Sequence, residues 1–164
     1  MNRWLTLALV GVTLAIGALT LGTASQLPDR VATHFDWNGH PNGWMDRETY
    51  VIVMLGVSVA LPWLAYAMML LGRRVRDEDY WLAPPRREAT LRAMRAFAAA
   101  LALAIALLGA TMHFAIVKAH ATQPIQLDNG TLVTAIALFA AAMIGFAIAH
   151  GRRFPRRPDR ALQH

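Results

Sequence analysis

The chain has 164 residues, a length suited to one domain. Only 16% of them are charged and 56% are hydrophobic, with the apolar residues gathered in long runs, a pattern that excludes a disordered chain and argues against a soluble globular domain. The formal net charge is +6, and the absence of cysteine excludes disulfides, Cys-ligated zinc, iron–sulfur clusters and thiol nucleophiles.

Four charge-free stretches follow in order: Trp4–Ala24, Val51–Leu71, Ala96–Val117 and Thr131–Ala149. Each is about twenty residues long, which at ~1.5 Å per residue matches a hydrocarbon core of about 30 Å. Lipid offers no hydrogen-bond partners to backbone groups, so each run is predicted to be a helix. The expected fold is an all-α membrane protein, a single four-helix domain over 1–164. The first helix could be read as a signal peptide ending near Gly22-Thr23-Ala24, but its apolar run exceeds a usual signal core and it is expected to be retained. Pro62 is predicted to kink the second helix. Ala141, Gly145 and Ala149 recur every fourth residue, a spacing that permits close helix approach and leaves a homo-oligomer open.

Between the helices lie an outer loop over 25–50, a cytoplasmic loop over 72–95, a short polar connection over 118–130 and a cytoplasmic tail over 150–164. Of the sixteen basic residues, only Arg30, Arg47 and Lys118 fall in the first and third of these connections. The others are Arg3, the loop residues Arg73, Arg74, Arg76, Arg86, Arg87, Arg92 and Arg95, and the tail residues Arg152, Arg153, Arg156, Arg157 and Arg160. Basic residues concentrate on the cytoplasmic side, so both termini are expected inside a bacterial inner membrane. The same placement explains the positive charge without nucleic acid, for which the short loops hold no module. In the cytoplasmic loop, Pro84-Pro85 is expected to break the chain, and Asp128-Asn129-Gly130 is a turn signal.

The 25–50 loop is the densest in chemistry, with His34, His40, Asp29, Asp36, Asp46, Glu48, Trp37 and Trp44. Val31, Thr33, Phe35 and Trp37 alternate with Ala32, His34 and Asp36, which predicts a short strand. Asn38-Gly39 predicts a tight turn and Pro41-Asn42-Gly43 a second one. His34 and Asp36 would then project together, with Trp37 and Trp44 at headgroup level. Such a pair can serve as metal ligands, a proton relay or a hydrogen-bonded anchor. His113 and His120 stand seven apart on about one face of the third helix and could converge on His34. With His40 they form a candidate set for zinc or copper, though the spacing fits no defined metal signature. No cofactor is otherwise expected.

The run Leu27-Pro28-Asp29-Arg30-Val31-Ala32-Thr33-His34-Phe35-Asp36-Trp37-Asn38-Gly39, with Pro41, Gly43 and Trp44, resembles an uncharacterised bacterial membrane-domain family. That family also forms the N-terminal part of SdpI-type immunity proteins. The stretch Tyr80-Trp81-Leu82-Ala83-Pro84 with Arg86-Arg87 is similar to the same family. Ala32 departs from its pattern by replacing a second proline, Arg47 stands where lysine is usual, and the chain is shorter than SdpI-type proteins. The resemblance implies a non-enzymatic membrane protein that recognises a peptide or envelope ligand through its outer loop, with His34, Asp36, Trp37, Asn38, Gly39 and Trp44 binding that ligand or organising the loop. Two alternatives stand beside it: a membrane-embedded metal-binding protein or enzyme using His34, Asp36, His40, His113 and His120, and an accessory subunit of a membrane complex. A transporter is disfavoured, because the helices carry no charge and no matched pair of broken segments. The expected partners are the lipid bilayer and a peptide ligand or membrane protein.

Overall fold

The computed structural model describes residues 3–71 and 77–155. Arg73, Arg74, Arg76, Arg156, Arg157, Arg160 and His164 lie outside the described residues, as do those parts of the 72–95 connection and of the C-terminal tail. The elements in order are α1 (Arg3–Thr23), a single 3₁₀ turn at Ala24–Gln26, strands β1 (Arg30–Phe35) and β2 (Pro41–Asp46), α2 (Arg47–Leu71), the short α3 (Glu78–Trp81), α4 (Pro84–His120) and α5 (Asn129–Arg153). Helices α1, α2, α4 and α5 are long and apolar enough to cross a membrane. Their outward faces carry Leu7, Leu14, Leu64, Leu138 and Ile144, all exposed, as apolar residues are on a surface meant for lipid.

The chain is therefore not purely α-helical. Strands β1 and β2 pair antiparallel into a hairpin packed on one end of the bundle. Pro41-Asn42-Gly43, expected as a turn, begins β2 instead. A proline is tolerated at the first residue of a strand because no ladder N–H is needed there. Helix α2 starts at Arg47, so the loop is shorter than the span 25–50.

The 72–95 connection differs more. Pro84-Pro85 does not break the chain but opens α4, where proline's missing N–H costs nothing. That helix runs unbroken to His120, 37 residues, so Arg86 to Arg95 form its first turns. Likewise Asp128 is not part of a turn. It caps α5, its carboxylate accepting from the N–H groups of Gly130 at 3.1 Å and Thr131 at 3.3 Å and from the Thr131 hydroxyl at 2.6 Å. These bonds, led by the Thr131 hydroxyl, hold its carboxyl below the ordinary aspartate range.

Helix α4 is the central post, packed against α1, α2 and α5. Small residues bring it close: Ala98, Ala102 and Ala106 are fully buried. Gly109 meets Ser58, and a Cβ on Gly109 would collide with the Ser58 side chain. Ser58 lies in a π-turn, Gly56–Ala60, inside α2. Pro62 removes the N–H that would bond the Ser58 carbonyl, and the helix widens there. Two polar ties join α1 to α2: Trp63 Nε1 donates to Thr13 Oγ1 at 3.2 Å, and Thr6 Oγ1 lies 3.5 Å from the Tyr66 hydroxyl.

Candidate functional site

The hairpin is anchored from below by Leu27, Val31, Tyr50, Met54 and Ile116, which join both strands' approach to α2 and α4. Arg47 secures its base. One guanidinium nitrogen donates to the Leu27 carbonyl at 2.9 Å, the other pairs with Asp29 at 3.0 Å, and the Arg47 backbone N–H donates to the Asp29 carbonyl at 2.9 Å. A third tie comes from His120. Its Nδ1 lies 2.9 Å from the Ile116 carbonyl, which can only accept, so Nδ1 carries the proton and Nε2 accepts the Ala32 N–H at 3.0 Å.

The turn is organised by Asp36. Its Oδ1 accepts from the N–H groups of Asn38 and His40, both at 2.8 Å, and its Oδ2 lies 3.5 Å from His40 Nδ1. The His40 N–H is the main reason the Asp36 carboxyl sits below its ordinary value; partial desolvation opposes it and the Asn38 N–H adds to it. The partner of Asp36 is thus His40 and not His34. The ladder slips on either side of His34, which breaks the strict alternation that the sequence predicts. His34 Nδ1 contacts Thr33 Oγ1 at 3.1 Å and the ring lies over Gly43, where a Cβ would stand 2.9 Å from the His34 Cβ.

Three successive carbonyls of the turn then bind the α4–α5 connection. Asn129 Nδ2 donates to the Trp37 carbonyl at 2.7 Å, Gln126 Nε2 to that of Asn38 at 3.2 Å, and the Leu127 N–H to that of Gly39 at 2.9 Å. Gly39 has φ of 81°, and a Cβ there would collide with the Leu127 carbonyl oxygen. The hairpin tip is therefore clamped to the start of α5.

Clamping leaves a groove of about 630 Å³ between the hairpin and the ends of α4 and α5. His34, Phe35, Asp36 and Trp37 form one wall; Met112 and Ile116 of α4 and Leu132, Val133 and Ile136 of α5 form the rest. Trp37 is 97% exposed at its rim. Of the sequence-predicted residues, His34, Asp36 and Trp37 meet here, Asn38 and Gly39 build the clamp, and Trp44 lies outside the groove on the outer face of β2.

The histidines do not converge. His113 is buried about two helical turns before His120, its Nδ1 2.8 Å from the Tyr50 hydroxyl and its Nε2 2.8 Å from Thr23 Oγ1. The Thr23 hydroxyl donates to the Leu19 carbonyl at 2.8 Å, so its oxygen accepts from His113 Nε2–H, and Tyr50 donates to Nδ1. Among the described residues no group of three His, Asp or Glu side chains is placed to hold a metal ion. The sequence marks Asn129 only as part of a turn signal and Thr23 only at a possible cleavage site, and it does not mark Gln126 or Tyr50. The signals available for them were weak: an Asn beside a capping Asp, and two hydroxyls at the ends of apolar runs.

Residues 8–60 match the model of a family described as a domain of unknown function, DUF1648. The match covers most of α1, the whole hairpin and the first half of α2, including the π-turn. No curated protein and no solved structure matches the chain.

Proposed function

We propose that the chain is a non-enzymatic receptor of the bacterial inner membrane, an immunity-type module of the SdpI kind. Its hairpin faces outward, both termini lie in the cytoplasm, and the groove beside the hairpin takes a cationic amphipathic peptide. The observation that carries this reading is the groove itself, an apolar trough with an exposed tryptophan on its rim, held open by a clamped hairpin. Preorganised walls reduce the ordering cost of binding, and Trp is the residue type that most often anchors a peptide.

Charge supports the cationic partner. The hairpin end carries Asp29, Asp36, Asp46, Glu48 and Asp128 against Arg30, Arg47 and Lys118, although the whole chain is +6. Two of these cations are already paired, Arg47 with Asp29 and Arg30 with Asp46 at 3.9 Å. A cationic peptide is thus drawn to the one end of the molecule with an acidic excess.

The test uses the protein in zwitterionic nanodiscs and a synthetic Lys/Leu amphipathic peptide. Binding above that of empty nanodiscs is expected, weakened about tenfold or more by Trp37→Ala, as for an anchoring aromatic. A Gln/Leu analogue should bind less well. Equal binding by wild type, by Trp37→Ala and by a groove-filling Val133→Trp variant would overturn the reading.

A further inference from the structure

Helix α5 is the least enclosed of the long helices: none of its described residues is buried, and it packs chiefly against α4. A second trough, of about 730 Å³, runs along the α4–α5 seam and shares no lining residue with the peptide groove. Leu107, Leu108 and Thr111 of α4 and Ala135, Leu138 and Ala142 of α5 form much of its walls, and Asp128 stands at its hairpin end. Leu107 and Leu138 are exposed on the surface meant for lipid, so the trough opens sideways to the bilayer.

Its length singles out the occupant. The rise from Asp128 to Ala142 is about 21 Å at ~1.5 Å per residue. Half a hydrocarbon core is about 15 Å and one headgroup layer about 5–7 Å, so the trough has the depth of one lipid, from headgroup to bilayer midplane. A partner helix would need the seam open to the far side as well. There, instead, Phe97 of α4 and Phe146 of α5 meet edge to face with ring centroids 5.1 Å apart.

Polarity is placed where a headgroup would lie. Asp128 is exposed, and its Oδ2 accepts only from the Thr131 hydroxyl, so that oxygen keeps capacity for a further donor. No Lys, Arg or His lines the trough, and Lys118 acts on Asp128 only through its charge. About 9 Å deeper along the helix stands Thr134, also in the wall. Helical threonines here bond back to the carbonyl four residues earlier, as Thr13, Thr23 and Thr111 do. Thr134 is exposed and makes no hydrogen bond among the described residues, so its hydroxyl is open to the trough's occupant. From these observations we infer that the trough binds one phospholipid of the hairpin-side leaflet with a primary ammonium head, of the phosphatidylethanolamine class. The ammonium donates to Asp128, Thr134 donates to a phosphate or ester oxygen, and an acyl chain lies along the seam to Ala142. A choline head carries the same charge but has no N–H to donate. A glycerol head lacks the cation and leaves the lipid phosphate facing the Asp128 carboxylate.

The test titrates delipidated protein in detergent with dioleoyl phosphatidylethanolamine, phosphatidylcholine and phosphatidylglycerol, which share their chains, and resolves binding by native mass spectrometry. The ethanolamine lipid is expected to bind about tenfold more tightly than either of the others, the worth of one charge-assisted hydrogen bond. Asp128→Asn, which can still cap α5, should bring it to the level of the choline lipid. Thr134→Val should weaken all three alike. Ala135→Leu and Ala142→Leu, which fill the trough at two depths, should do the same with helix content unchanged. Equal affinity for the ethanolamine and choline lipids in wild type, or a preference that survives Asp128→Asn, overturns the inference. So does lipid binding untouched by both alanine variants; if those variants instead dissociate a dimer, the trough belongs to a second copy of the chain.

Discussion

Asp36 is the residue on which the hairpin tip turns. Its carboxylate satisfies two backbone donors across a five-residue reversal, and the carbonyls of that reversal are the ones bound by Gln126, Leu127 and Asn129. Because its folded value lies below the unfolded one, near 3.9, ionised Asp36 stabilises the turn above that pH and the contribution is lost as pH falls through the depressed value. Hydrogen exchange at the Asn38 and His40 amides is therefore expected to be slow at neutral pH and to quicken as pH drops below about 4, after correction for intrinsic rates. In Asp36→Ala the protection should be absent at every pH. Protection at these amides that is the same in Asp36→Ala as in wild type would show that the clamp, and not the carboxylate, orders the turn. His34 was the more conspicuous residue in the sequence, since it completes a His-x-Asp pair on a predicted strand. Alternation assumes an unbroken ladder, and the slips beside His34 remove that assumption. The clamp itself was illegible for a different reason: Asn129 and Trp37 are remote in sequence, and neither residue type signals such a contact.

At the scale of elements, the four long apolar runs were readable because lipid permits no other backbone arrangement over that length. Their ends were not. Pro84-Pro85 reads equally well as a break or as a helix start, and only the structure places it in the first turn of α4. The meeting of α2 and α4 was also hidden, since it pairs a glycine in one run with a serine in another. Gly109 lets Ser58 and the π-turn approach α4 directly, and the Ser58 hydroxyl is buried there without a partner. Gly109→Ala would place a methyl group against Ser58, and overpacking of this kind costs about 1–3 kcal/mol. A lower thermal midpoint is expected in Gly109→Ala, with helix content retained. Ser58→Ala should be neutral or stabilising, because it deletes an unpaired buried hydroxyl, and combined with Gly109→Ala it should recover part of the loss. Full additivity of the two changes would mean that the π-turn does not depend on this contact.

The whole molecule has two unlike ends. The hairpin, the C-terminus of α4 and the N-terminus of α5 are tied together by backbone and side-chain bonds, so they must lie on one side of a bilayer. The start of α4, with Arg86, Arg87, Arg92 and Arg95, lies a helix length away. Arginine on a flank resists translocation, whereas the hairpin end carries only Arg30, Arg47 and Lys118 and is the easier end to export. This placement of charge is what supports the orientation proposed above, with the hairpin outside. The chain contains no cysteine, so single substitutions give an unambiguous readout. Asn42→Cys in β2 and Gln123→Cys in the α4–α5 connection are both exposed positions at the hairpin end, and Glu88→Cys is an exposed position at the other. In intact cells with a permeable outer layer, an impermeant maleimide should label Asn42→Cys and Gln123→Cys and spare Glu88→Cys until the membrane is disrupted. Labelling of Glu88→Cys alone would invert the molecule and put the groove beyond reach of any secreted peptide. Opposite results at Asn42 and Gln123 would contradict the clamp, since its bonds cannot form across a bilayer. Replacing Arg86, Arg87, Arg92 and Arg95 together with Arg73, Arg74 and Arg76 should give partial labelling at all three sites, because the helices still insert while the bias that orients them is gone.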